Sequence, residues 1–416
     1  MKHYKKILEV IVLIIFININ AGFSQENNFI SIKGKILDKK TKQPIVFATI
    51  TVEGTNSGTV SNTEGEFIIN VEKNTGSKKI YFKYIGYKNK YVDISKLTSN
   101  ENIIYLKPTS VPIKEVIVRP NNPKELVEKV IEKIPQNYST TPNKMIAFYR
   151  ETVKKKKRYV SIVEAVVEVY KAKYGNTTDY DLVKLYKGRK SSNIKAKDTL
   201  IMKLKGGPKT ALLLDIAKNP RILFYKEVMD DYKFELEEIV NINDKQNYVI
   251  KFEQIRNFDY PLFNGKLYVD IKSLAISAAE YNLNLSDKAA ASRLFVKKKP
   301  LFMSIEPTAT KYIVKYTEDN GKYYLSYARG EVTFKCKKRL FKSFYTVMTE
   351  IAITDRTDKN VVKFNRKERL HSGIVFEEKV QAVPDTNFWG KYNTIKPEES
   401  IENAIKKYGV KLKIQD

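Results

Sequence analysis

Histidine and cysteine are almost missing from this 416-residue chain, which has two histidines, His3 and His371, and one cysteine, Cys336. His3 lies in an amino-terminal segment that reads as removable, so the mature chain keeps one imidazole. That scarcity excludes the usual zinc and transition-metal ligand sets and most general acid–base chemistry. A lone cysteine excludes an internal disulfide in any compartment. Phosphate loops are missing too: Gly265, Gly321 and Gly390 each precede a lysine, but leucine or tyrosine follows where serine or threonine is required. A mean hydropathy of −0.41 excludes a polytopic helical membrane protein.

Acidic charge is the other deficit. Asp and Glu number 47 against 75 Lys and Arg, a formal net charge of +28. The basic runs, such as Lys154 to Arg158 and Lys335 to Arg339, are mostly lysine, which suits a solvated surface better than bidentate readout. Their functional reading is a salt-sensitive attraction to anionic lipid headgroups or acidic envelope glycans. Export argues against nucleic acid as a partner. The export signal is read from Lys2, Lys5 and Lys6 followed by the apolar run Val10 to Ile17, which is shorter than the about 20 residues a membrane span needs. Gly22 and Ser24 place cleavage after Ser24, with Gln25 the alternative. The expected destination is the periplasm or the periplasmic face of an outer membrane.

What is present is β pattern. From 29 to 107, short alternating runs are separated by Gly34, Gly54, Gly58, Gly65 and Gly86, which predicts a small antiparallel sandwich. A proline-rich linker and an amphipathic helix occupy 108–142, with Asn122 as cap, Pro123 at the first position and a stop at Pro135. Alternation returns from 143 to 385, where Val163, Ala165, Val167 and Val169 interleave with Glu164 and Glu168, and Asn320-Gly321 marks a hairpin. Asn264-Gly265 reads as the opening of another strand, and Thr210 to Ala217 as a helical interruption. The fold class expected is mainly β: a transthyretin-like sandwich followed by a large curved antiparallel sheet with few helices, then a carboxy-terminal tail with a short helix at 386–416.

The strings Gly34-Lys-Ile-Leu-Asp, Gln43-Pro-Ile-Val-Phe-Ala-Thr-Ile, Gly58-Thr-Val-Ser-Asn-Thr-Glu-Gly-Glu-Phe67 and Tyr84-Ile-Gly-Tyr87 resemble the carboxypeptidase-like regulatory domain of Bacteroidetes envelope proteins. The resemblance implies a seven-stranded transthyretin-like sandwich with no protease chemistry. Phe148-Tyr149-Arg150-Glu151, Lys187 to Lys190 and Phe388-Trp389 are similar to segments recurring in envelope proteins that carry this module. Gly265-Lys-Leu-Tyr-Val-Asp270 resembles, by analogy, the half-barrels of lipoprotein carriers.

Tests for chemistry return no catalytic residue, no metal site and no cofactor. His371 beside Ser372 lacks a Gly-x-Ser-x-Gly elbow, and Ser192 with Lys195 lacks the companion motifs of penicillin-recognising enzymes. Glu164 and Glu168 stand about 13 Å apart along a strand, too far for a glycosidase pair. Asp355 and Asp358 read as a solvated turn. Lys187, Arg189 and Lys190 are the ligand contacts the sequence nominates, three cations beside Gly188. The function expected is that of a non-catalytic exported envelope protein binding lipid, glycan or an outer-membrane protein. Its alternatives are a hydrolase using carboxylates from separate strands and a structural accessory of an outer-membrane complex.

Overall fold

The computed structural model of the chain describes residues 28–99, 101–109, 120–175, 179–192, 207–256, 258, 260–295, 303–338, 341–371, 374–382 and 388–405. The expected export segment lies outside them. The amino-terminal sandwich has the seven strands expected: β1 (Phe29–Asp38), β2 (Thr49–Val52), β3 (Gly58–Val60), β4 (Glu66–Glu72), β5 (Lys79–Lys83), β6 (Lys90–Asp93) and β7 (Glu101–Leu106). They form a three-stranded sheet in the order β4-β1-β7 and a four-stranded sheet in the order β3-β2-β5-β6. Strand alternation sends Ile32, Ile36, Ile50, Phe67, Ile80 and Phe82 into one core. The sandwich is not purely antiparallel, since β1 and β7 run parallel.

Asn122 caps α1 (Pro123–Glu132) as its sequence requires, accepting from the backbone N–H groups of Lys124 and Glu125. Pro135 does not end the helical path. It opens a second turn, α2 (Ile134–Asn137), because proline suits a first helical turn whose N–H is unpaired anyway. Leu126, Val127, Val130 and Ile134 turn inward.

The remaining strands are β8 (Asn143–Lys155), β9 (Arg158–Lys171), β10 (Leu182–Ser192), β11 (Tyr232–Ile242), β12 (Lys245–Gln254), β13 (Phe263–Asp270), β14 (Ile276–Leu283), β15 (Met303–Asp319), β16 (Lys322–Lys338), β17 (Phe341–Thr357) and the short β18 (Gln381–Ala382). They build an 11-stranded sheet in the order β11-β12-β13-β14-β15-β16-β17-β8-β9-β10-β18. All its pairings are antiparallel except that of β18 with β10. Bulges interrupt several ladders and bend the strands. Asn320 and Gly321 both have positive φ, 51° and 77°, as a two-residue hairpin between β15 and β16 demands. Asn264-Gly265 stands at the opening of its strand, as second and third residues of β13, which pairs with β14. A Cβ on Gly265 would come within 2.3 Å of the Glu280 carbonyl oxygen. Two further helices are α3 (Pro208–Leu212) and α4 (Lys288–Phe295), and residues 399–405 are helical as well.

β10 and β11 follow one another in sequence yet stand near opposite ends of the sheet. Their connection must therefore cross the sheet, and it does so over the apolar face. Ala211, Leu212, Ile216, Leu223, Phe224 and Met229 pack there against Ala147, Val163, Val314 and Ile250, beside α1 and α2.

The sandwich and the expected tail meet the opposite face. Phe47 and Val60 share a core with Phe148, Ile313, Tyr327, Ala352 and Ile395. The segment 388–401 is a strap stitched between the two units, not a loose tail. Asn393 accepts from the Asn70 N–H at 2.6 Å and donates to Ser57 at 2.9 Å, and Thr59 donates to the Thr394 carbonyl at 2.8 Å. Lys396 pairs with Glu66 at 3.0 Å, and Ile401 packs on Tyr159 and Ile162. Replacing Ile395 by alanine should cost about 2 to 5 kcal/mol, the range for truncating a buried branched side chain. Urea denaturation measures it, and a loss near zero would show that the strap contributes no packing.

The Lys315 ammonium is also caught in this junction. It donates to the Phe47 carbonyl at 2.7 Å and lies 4.7 Å from the centre of the Tyr84 ring. Burial pushes it down to about 8, against the opposing pull of Glu280. The unfolded chain holds that proton up to about 10.5. Between those values the unfolded state binds more protons, so the stability attributable to Lys315 rises with pH; below about 8 the full cost of the buried charge is felt. Urea unfolding of the wild type and Lys315→Met at about pH 7.5 and about pH 9.5 checks the sign: any advantage of the variant should shrink at the higher pH.

Candidate functional site

The three cations nominated by the sequence all lie on β10 and all meet other parts of the chain. Lys187 Nζ stands 4.3 Å from the centre of the Phe388 ring. The Arg189 guanidinium sits 5.1 Å from the Trp389 ring and reaches Glu164 at 2.8 Å. Lys190, on the other side of the strand, donates to the Glu377 carbonyl at 3.1 Å. Gly188 between them is held close, since a Cβ there would meet Val380 at 2.5 Å. The cluster thus fastens the strap and the 376–380 turn to the sheet edge.

Carboxylates from distant strands do converge, and among the described residues three such pairs share a cation. Arg150 on β8 donates to Glu164 on β9 at 2.9 Å and to Glu350 on β17 at 3.0 Å. Its remaining nitrogen caps the Ile395 carbonyl at 2.7 Å. Arg329 on β16 also bonds Glu350, at 3.1 Å. Lys171 lies between Asp181 and Asp215, 2.6 Å from each. Arg356 bridges Asp319 and Asp358, and it stacks 3.7 Å from the centre of the Tyr324 ring. Asp358 is exposed, as expected of a solvated position, and also pairs with Arg356, whereas Asp355 lies within β17 and not in a turn.

Arg150, Glu164 and Glu350 are at most 2% exposed. Burial pushes the Glu164 carboxyl up, but Arg150 and Arg189 outweigh it and hold the group below the usual carboxylate range. A glycosidase-type pair needs one carboxyl kept protonated and reachable by substrate. Glu164 and Glu350 are instead ionic partners under the sandwich and strap. Glu151 differs: burial raises it despite bonds from the Tyr149 hydroxyl at 2.7 Å and the Gly207 N–H at 3.0 Å. Those two bonds use it to hold the start of the crossover. Arg150→Met should destabilise the protein by about 3 to 5 kcal/mol, since it strands buried carboxylates. Thermal or urea unfolding checks it, and a neutral result would mean that water solvates the cluster.

The opposite face of the sheet offers a different environment. Asp215 pins the crossover at its middle, accepting from Tyr174 at 2.9 Å and Tyr316 at 2.8 Å. Beyond that pin Lys218 donates to the Lys173 carbonyl, Asp230 pairs with Lys124 and Asp231 accepts from Tyr260 at 2.8 Å, and apolar and aromatic contacts fill the space between. Phe224 packs edge-on against Phe252 and Tyr232, with Phe234 beside them. This aromatic group continues into solvent through Tyr225, Ile255 and Tyr260, which are 36%, 56% and 41% exposed. Phe258 stacks on Tyr260 with ring centres 5.2 Å apart, and Arg256 covers the outer ring. The sheet therefore ends in a partly exposed aromatic rim contiguous with the apolar face.

Sequence reasoning missed both arrangements. Arg150 and Glu164 at inward positions of otherwise apolar strands were a usable signal, because an unpaired charge there would be prohibitive. Nothing in the spacing revealed Glu350 as the third member.

Among the described residues, no group of three or more His, Cys, Asp or Glu side chains is placed to hold a metal ion. No helix among them is long and apolar enough to cross a membrane. His371 is exposed, and Ser372 and Lys195 lie outside the described residues. Burial pushes the Cys336 thiol up to about 11, which keeps it unreactive at neutral pH.

Residues 32–118 match the family model described as CarboxypepD_reg-like domain, so the amino-terminal sandwich is a domain of that kind. No curated protein sequence matches the chain. Among solved structures, a DUF1329 family protein from Desulfovibrio piger shares 11% identity, with 58% of this chain and 96% of that one covered at a TM-score of 0.26. A putative outer membrane lipoprotein-sorting protein domain from Vibrio parahaemolyticus shares 10%, covering 58% and 93%, at 0.22. Lipovitellin shares 8%, covering 57% and 27%, at 0.28. Superpositions at this level fall below what a common fold requires.

Proposed function

We propose that this is a non-catalytic, exported cell-envelope protein that takes the apolar chain of a lipid along the crossover-covered face of its large sheet. One observation carries the reading: a broad apolar sheet face is covered by the β10–β11 connection, whose described part, 207–231, holds α3 and two short 3-10 helices, and it opens to solvent at an aromatic rim. A rim of this composition suits the water–lipid boundary, where ring edges meet polar headgroups while ring faces stay apolar. The excess of lysine adds a sequence-independent pull toward anionic headgroups. The carboxylate pairs support binding over turnover, because each is neutralised by a buried or half-buried cation.

Purified protein, extracted and analysed by mass spectrometry, should carry lipid, and it should bind vesicles of phosphatidylethanolamine and phosphatidylglycerol less well as salt is raised. Ile255→Asp and Tyr225→Asp should each weaken vesicle binding by about tenfold or more while changing stability by under about 0.5 kcal/mol, as expected at exposed positions. Lipid-free protein that ignores vesicles would overturn the reading.

A further inference from the structure

We infer that the cleft between the sandwich and the end of the β15–β16 hairpin is a second, independent binding site, one that takes a single neutral pyranose unit of a glycan. The cleft encloses about 170 Å³, close to the roughly 150 Å³ of an engineered cavity that admits one benzene ring. It therefore has room for one six-membered ring.

Its floor is the outward face of the four-stranded sheet. Thr49 stands opposite Lys83 and Thr51 opposite Tyr81, while Ile50, Val52, Ile80 and Phe82 turn into the sandwich core. Its wall is Thr317 with its cross-strand partner Tyr324. The walls are fixed on two sides. Asn56 donates to the Arg356 carbonyl at 3.0 Å at one margin, and Thr59 is tied to the strap at another. Such a site loses little freedom on binding.

The polar groups left over point to the ligand. Tyr81 is spent on Glu53 at 2.6 Å, and Ser326 on the Lys315 carbonyl at 3.0 Å. Among the described residues, the hydroxyls of Thr49, Thr51 and Thr317 and the ammonium of Lys83 have no hydrogen-bond partner within the chain. Lys83 lies 5.5 Å from the centre of the Tyr81 ring, and burial pushes its ammonium down against the longer-range pull of Asp244 and Glu318, neither of which it hydrogen-bonds. Three hydroxyls and one under-solvated donor around a ring-sized space complement a polyol, whose hydroxyls both donate and accept.

Charge argues for a neutral one. The lining carboxylates are committed, Glu318 to Lys245 at 3.2 Å and the Gly321 N–H at 2.9 Å, and Asp319 to Arg356. An anionic ligand reaching Lys83 would have to approach both carboxylates. Tyr81 and Tyr324 supply the aromatic surface that the apolar face of a pyranose prefers.

Saturation-transfer NMR on the full exported chain, with methyl glycosides of glucose, galactose, mannose and N-acetylglucosamine and with glucuronate, tests this. At least one neutral glycoside should bind. Its binding should weaken by about tenfold or more in the Thr51→Val, Lys83→Met double variant, with near-UV circular dichroism unchanged, and should persist in Ile255→Asp. If that double variant fails to fold, Thr317→Val, on the opposite wall, must show the loss instead. Binding by none of the neutral glycosides, binding by glucuronate alone, or neutral binding indifferent to both cleft variants would overturn the proposal.

Discussion

Arg150 is the joint on which the assembly depends. Each of its hydrogen-bonding directions is used by a different part of the chain: Glu164 and Glu350, its cross-strand partners on the two flanking strands β9 and β17, and the Ile395 carbonyl of the strap. A guanidinium buried this deeply is tolerated only when its donors are matched and its charge is compensated. The matching needs the strap in place, and the strap in turn carries the contacts to Asn70, Ser57 and Thr59 that hold the sandwich. Local charge balance in the sheet and the docking of two folding units are therefore one event. Replacing any member with a neutral group leaves the others to bear an uncompensated charge.

The net charge of +28 is not altered by placing these pairs. Among the described residues the buried acids Asp38, Glu164, Asp215, Asp270 and Glu350 are matched in number by the buried cations Arg150, Lys171, Lys218, Lys315 and Arg356. The basic excess therefore stays at the surface. That bias favours approach to anionic headgroups without specifying any of them.

The two faces of the large sheet divide the work. One is apolar, crossed by the β10–β11 connection and open at an aromatic rim. The other is ionic and aromatic, and it is closed by the sandwich and strap, with a polar ring-sized cleft at its margin. The division follows from strand alternation, since Val163 and Ala165 on β9 point to the first face while Glu164 between them points to the second.

The residue order by itself determined the sandwich, the capped helix at Asn122-Pro123, the Asn320-Gly321 hairpin and the alternation of β9, because each depends on interactions within a few positions. Only the tertiary structure decided that Lys187 and Arg189 meet the strap while Lys190 meets the 376–380 turn, that Gly265 lies close against the Glu280 carbonyl and that 388–401 bridges two units. Those outcomes depend on partners such as Phe388, Glu280 and Thr59 that are remote in sequence. Local spacing carries no record of which distant carbonyl or carboxylate a side chain will meet; packing alone makes that choice.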